Sequence, residues 1–192
     1  RETKTPLEAP GEPACAAPPK LSALEADDSR WIALWASSNV APEAARRWMS
    51  GFAFGKRRLR AIFAPLEMHA AAADLPDTRE AWAALALAHG RRAAADWLAV
   101  VRALPAIRPV PKDRLKRWEA YLADIPAFTA AELAIDGHDL ADAAGRKGGP
   151  WIRRTMDRLL LETAAGRLPN ERRALLRRAL DILANEPDGK DI

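Results

Sequence analysis

The stretch PDTREAWAALALAHGRRAAADWLAVVRAL, Pro76 to Leu104, decides the fold class. Its first half reads as a helix with Asp77 or Thr78 as N-cap, Glu80 in the first turn and Gly90 as the C-terminal stop. Its second half, RRAAADWLAVVRAL, resumes a helical pattern with no intervening linker, so the pair is predicted to form an antiparallel hairpin. The same texture extends outward. LSALEADDSRWIALWA sets Trp31, Leu34 and Trp35 on one helical face. APEAARRWMSGF, with Pro42 in its first turn, carries Ala45, Trp48, Met49 and Phe52 inward. KRRLRAIFAPLEMHAAAADL resumes helix after Gly55, and PKDRLKRWEAYLADI aligns Leu115, Trp118, Tyr121 and Leu122. No segment alternates with the period of two that a half-buried strand requires. The expected class is all-α.

Downstream of Phe128 come three shorter helical patterns. Asp139 is the expected N-cap of LADAA, which ends at Gly145. Pro150 opens WIRRTMDRLLLETAAG, with Trp151, Ile152, Met156, Leu159 and Leu160 inward and Gly166 closing it. LPNERRALLRRALDIL is the last helix, with Pro169 near its start. The expected organisation is therefore a linker or disordered arm over 1–20, a multi-helix body lobe over 21–125, a smaller helical tail lobe over 126–187, and a disordered end over 188–192. The arm, RETKTPLEAPGEPACAAPPK, is rich in Pro, Ala and charge and has no apolar period.

Composition narrows the function classes. The chain has 192 residues, 49% of them apolar, a formal charge of +4 and seven tryptophans against one tyrosine. Mean hydropathy is -0.25 and the sequence pI about 9.6. A mild basic excess permits a polyanionic partner without requiring one. Arginine outnumbers lysine, as phosphate recognition or a GC-rich genome would each produce. Cys15 is the single cysteine, so neither an intramolecular disulfide nor a thiolate metal site is expected. No apolar run approaches the ~20 residues of a membrane span, and a cytoplasmic location is expected. The chain starts at Arg1 and reads as part of something longer. No Ser–His or Cys–His arrangement and no P-loop is present, so no catalytic residue is expected.

One stretch carries candidate chemistry: IDGHDLADAAGRKGGPWIRR, Ile135 to Arg154. Asp136, His138, Asp139 and Asp142 could be taken for metal ligands, but Gly137 interrupts the helix, and capping accounts better for the aspartates. No metal site is expected. The basic loop says more. A helix opening at Pro150 leaves its first N–H groups facing outward at the positive end of the dipole. Acids are usual in that turn, yet here Arg153 and Arg154 occupy it, with Arg146 and Lys147 just ahead. Gly145, Gly148 and Gly149 would let a backbone approach closely. Such a corner suits a phosphate, although a solvated basic turn has the same composition. Lys56, Arg57, Arg58 and Arg60 form a second cluster beside a turn, and the two together would suit an RNA backbone. Trp31, Trp35, Trp48, Trp82, Trp97 and Trp118 stand at core spacing and are expected to be buried.

Residues Leu133 to Leu176 resemble the tail of bacterial CCA-adding tRNA nucleotidyltransferases, whose pattern runs L-x-I-x-G-x-D-L, then G-x-K-x-G-P-W-I, then G-x-L-P-N-E-R. The matching positions are Leu133, Ile135, Gly137, Asp139, Leu140, then Gly145, Lys147, Gly149, Pro150, Trp151, Ile152, then Gly166, Leu168, Pro169, Asn170, Glu171 and Arg172. RRWMSGFAFGKRRLRAI, Arg46 to Ile62, is similar to the family's body segment of the R-F-S-N-K type, with Gly55 where Asn or Ser is usual. A second departure is Arg153-Arg154, where relatives often carry Gly-Glu. The resemblance implies a tRNA-binding body and tail that grip acceptor stem and elbow. It implies a catalytic head upstream, which adds C, C and A using Mg2+, CTP and ATP. The head's glycine-serine turn and D-x-D pair are not in this sequence, so no cofactor and no nucleotidyl transfer are expected of this chain alone. The competing expectation is a helical protein–protein interaction module with an apolar groove.

Overall fold

A computed structural model describes residues 21–185 apart from 25, 26, 39 and 53. The expected arm over 1–20 and the expected disordered end over 188–192 lie outside the described residues. Among those described, the chain forms nine α-helices and no strand. They are α1 (Asp27–Ser37), α2 (Pro42–Ser50), α3 (Lys56–Ala71), α4 (Arg79–His89), α5 (Arg91–Ala103), α6 (Lys112–Asp124), α7 (Gly137–Ala144), α8 (Pro150–Ala164) and α9 (Arg172–Asn185). Short 3-10 turns lie at Leu21–Ala23 and Ala130–Glu132. The all-α expectation holds.

The stretch that set the fold class behaves as its capping residues dictate. Thr78 caps α4 by accepting the Ala81 N–H, and Gly90, at φ 88°, ends α4 and starts α5 with no residue between. That conformation is strained for any side chain bearing a Cβ, so glycine is what permits the immediate reversal. Trp82, Trp97 and Trp118 from α4, α5 and α6 form the centre of the fold. All three are buried, and Trp82 stacks on Trp118 with centroids 5.0 Å apart and planes 6° from parallel. Trp97 donates to His69 Nδ1 at 3.2 Å, tying the end of α3 to this layer.

Three apolar clusters follow one another along the chain. The first joins α1, α2 and α3 to Val100 and Leu104 of α5. The second surrounds the tryptophan layer and receives Ala164 and Ala165 from the end of α8. The third packs α7, α8 and α9 through Leu140, Trp151, Leu159, Leu175 and Ile182. Helix α4 packs against both α3 and α8.

Several expectations need correcting. Trp48 and Phe52 are not inward: they are 52% and 50% exposed, and Leu34 is 39% exposed. Helix α1 instead buries Ile32 and Ala33, and α2 buries Ala45 and Met49. Trp31 and Trp35 are half-buried at the edge of the first cluster. A nine-residue helix has a narrow inward face, and α2 fills it with Ala45 and Met49, which leaves Trp48 on the flank. Helix α7 is capped by Asp136 rather than Asp139, and Gly137 is its first residue rather than an interruption. Pro169 precedes the last helix, which begins at Arg172.

Candidate nucleic-acid interface

The corner between α7 and α8 is built by its own short-range contacts. Asp136 Oδ1 accepts the His138 and Asp139 N–H groups at 2.8 and 2.9 Å, and Asp139 Oδ2 accepts the Asp136 N–H at 3.1 Å. This reciprocal box satisfies helix-start donors that would otherwise be orphaned. Asp139 also takes the Arg172 guanidinium at 2.7 Å, and that bond, with the Asp136 N–H, holds its carboxyl below the usual range. Asp136 Oδ1 and Asp139 Oδ2, two of the oxygens the metal reading would need, are thus engaged in capping. Among the described residues no group of three or more His, Cys, Asp or Glu is placed to hold a metal ion.

Helix α7 ends at Gly145, whose φ of 61° directs the Arg146 N–H back to the Ala141 carbonyl. Trp151 then fastens the loop: its indole donates to the Lys147 carbonyl at 3.0 Å, and the Arg146 guanidinium lies 5.6 Å from its ring centroid. Ile152 leans on Gly137, where a Cβ would come within 3.2 Å of its Cγ2. Asn170 bridges to the other side of the tail, accepting the Ala134 N–H at 2.8 Å and donating to the Glu132 carbonyl at 3.0 Å. Gly137, Trp151, Ile152, Asn170 and Arg172, all positions that carry the sequence resemblance, thus make the contacts that fold the corner, with the Arg172 side chain still 60% exposed.

What faces outward is cationic. Gly145, Arg146, Lys147, Gly148 and Gly149 are all exposed, as are Arg153 and Arg154. Helix α8 starts without a side-chain cap and without an acid in its first turn. Arg153 is 89% exposed and touches only Asp157, at 3.7 Å one turn on. Lys147 and Arg154 make no ion pair among the described residues. A cationic helix start opposes its own dipole, by about 0.3–1 kcal/mol per charge, and an oxyanion docked there would reverse that sign.

The second cluster is not one patch. Arg58 turns to α1, bonding Asp28 at 2.9 Å and covering the Phe54 ring at 5.1 Å. Arg57 and Arg60, one turn apart on α3, line a groove of about 230 Å3 against His89, Arg92 and Asp96 of the α4–α5 elbow. Its floor is Ala61, Ala64 and Ala93. Lys56 and Arg60 line an adjoining groove with Arg46 and Glu67, which are ion-paired. Arg46, His89 and Arg92 were not among the residues singled out from sequence. For Arg92 the signal was present: Arg91 and Arg92 open α5 behind a glycine, with no acid in the turn.

The sequence profile of the tRNA nucleotidyltransferase domain 2 family matches residues 22–179. The chain belongs to that family. The matched residues include the starts of α3 and α8 and most of the three apolar clusters, with Ile182 of the third lying beyond them. Similar proteins include the CCA-adding enzyme of Listeria monocytogenes serovar 1/2a, 31% identical over 52% of this chain and 24% of that protein. The CCA-adding enzyme of Anoxybacillus flavithermus is 34% identical over 35% of this chain and 16% of its own length. The CCA-adding enzyme of Bacillus velezensis is 22% identical over 86% of this chain and 38% of its own. The chain thus spans well under half the length of these relatives. No solved structure matches the chain. No described helix is long and apolar enough to cross a membrane.

Proposed function

We infer that this chain is the tRNA-binding portion of a CCA-adding enzyme, with a body lobe over 21–125 and a tail lobe over 126–187. The observation that carries the reading is the exposed corner from Gly145 to Arg154: an uncapped helix start ringed by Arg146, Lys147, Arg153 and Arg154. The family to which the chain belongs supports a nucleic-acid substrate for it, and the names of the relatives point to tRNA. Backbone phosphates would dock at this corner, and the groove residues Lys56, Arg57 and Arg60 would add contacts. Nucleotidyl transfer with Mg2+, CTP and ATP belongs to the rest of the enzyme. The described residues offer no donor set that fits the metal, and none of the steps at Mg2+ is assigned to them. A cytoplasmic location accompanies this reading.

Titration of tRNA against the purified chain at rising salt tests it. Affinity is expected to fall linearly on a log–log plot, with a slope growing by about 0.7–0.9 per phosphate contacted. Reversing Arg146, Lys147, Arg153 and Arg154 to Glu should flatten that slope by several units. Salt-independent affinity, or equal affinity for duplex DNA, would sink the reading.

A second reading has its own observation. Trp48 and Phe52, half exposed with centroids 4.5 Å apart, adjoin Trp35, whose centroid lies 5.5 Å from that of Trp48. An apolar aromatic surface of this kind is enriched in protein interfaces, so α1 and α2 would pair with another protein segment. Trp48→Ser with Phe52→Ser would then abolish that pairing and leave RNA binding intact. Loss of RNA binding in this double variant would contradict the division of labour.

A further inference from the structure

We propose that the groove between α3 and α5 seats one phosphate group, gripped by Arg57, Arg60 and Arg92 with His89 at its rim. This rests on the reading above for the source of the phosphate, an RNA strand, but not for the chemistry of the seat. Arg57, Arg60 and Arg92 line one depression together with a single carboxylate, Asp96. Asp96 is spoken for by Arg92, 3.5 Å away. Arg57 and Arg60 make no ion pair among the described residues. With one of the three arginines offset by Asp96, a cationic excess remains over the alanine floor, and an anion would relieve it. A guanidinium fork matches phosphate oxygens two at a time, which makes arginine rather than lysine suited to the task.

Size and surroundings agree. At about 230 Å3 the groove falls below the 300–1,000 Å3 typical of sites for organic ligands, and a small oxyanion is the occupant it suits. The start of α5 has no side-chain cap and no acid in its first turn, so its dipole favours a negative charge there. Burial keeps His89 below its ordinary pKa against the pull of Glu67. Its imidazole at the rim can add a hydrogen bond to the arginine contacts. The adjoining groove shares Arg60 and Ala64, so a strand seated in one can continue into the other. Neither Arg92 nor His89 belongs to the loop corner, which makes the seat separately testable.

The experiment uses the full chain, wild type and with Arg92→Gln or Arg92→Lys, each checked by thermal melting. Inorganic phosphate is titrated in a 1H–15N NMR experiment against chloride at matched ionic strength. Saturable shifts are expected in the amides of Arg57, Arg60 and residues 89–93, lost in Arg92→Gln and weakened in Arg92→Lys, which keeps the charge but not the fork. In parallel, tRNA titrations in salt should show Arg92→Gln lowering the slope by about one. If phosphate shifts the groove but the tRNA slope is unchanged, the seat stands and its occupant is free phosphate rather than RNA. If the wild type binds no tRNA at all yet phosphate still saturates the groove, the proposed function fails and the seat survives. No phosphate response beyond that of chloride overturns the proposal.

Discussion

His69 shows how a single side chain couples the core to pH. It accepts the Trp97 indole proton on Nδ1, while its own carbonyl takes the Arg108 guanidinium at 2.7 Å. Burial, helped by the Arg108 charge, lowers its pKa to about 4 from 6.5. The unfolded chain therefore takes up a proton before the folded one does. Stability contributed by neutral His69 is complete above pH 6.5, is lost as pH falls toward 4, and changes no further below that. A shift of this size corresponds to roughly 3 kcal/mol, trimmed to about 2 by partial solvent access. Urea denaturation at pH 7 and pH 4.5 should show the wild type losing about that much more than His69→Gln. Equal losses would show that His69 does not carry the acid sensitivity. At the corner, Asp136→Ala removes the carboxylate oxygen that accepts two helix-start N–H groups and should cost about 1–2 kcal/mol, measured the same way.

Among the elements, the turns decide most. Gly90, Gly145 and Gly166 have positive φ, but they differ in what surrounds them. A Cβ on Gly145 would meet open space, so Gly145→Ala should cost only the backbone strain, about 1 kcal/mol. At Gly166 the same Cβ would come within 2.7 Å of the Arg79 guanidinium carbon, disturbing the contacts of Arg79 with Tyr121 and Asp124. Gly166→Ala should therefore be the more damaging of the two in thermal melts, and the reverse order would mean that Arg79 moves aside freely. The helix boundaries were largely legible, because Pro42, Thr78, Gly90 and Pro150 are local signals whose effect spans one turn. The cap of α7 was misassigned for an equally local reason: Asp136 and Asp139 both fit, and only the observed hydrogen bonds show the two acting together.

For the molecule as a whole, long-range arginine–carboxylate pairs hold α8 and α9 against the rest. Arg167 grips both oxygens of Glu80 at 2.6 and 2.9 Å across 87 residues of sequence. Arg178 grips both oxygens of the largely buried Glu162 at 2.7 Å, and Arg158 lies 3.3 Å away. The bond from Arg178 holds the Glu162 carboxyl below its usual range. Removing Arg178 leaves the largely buried Glu162 carboxylate with Arg158 alone, so Arg178→Leu should be destabilising, and Glu162→Gln less so because Arg178 can turn to solvent. The double variant Glu162→Gln, Arg178→Leu should cost less than the sum of the two single variants. Additive losses in urea denaturation would show the pair to be uncoupled.

The sequence by itself determined that the chain is helical, where its helices turn, and that its tail carries a cationic helix start. Each of these depends on residues within a few positions of one another, and local chain geometry transmits such information directly. Only the tertiary structure decided which tryptophans are buried, since Trp82, Trp97 and Trp118 need three helices to enclose them and Trp48 lacks that enclosure. Only it brought Arg92 and His89 to Arg57 and Arg60, some thirty positions away, and turned Arg58 aside to Asp28. The physical reason is common to both cases. Packing of α3 on α5 selects which face of each helix meets the other, and that choice is made by contacts the linear order does not contain.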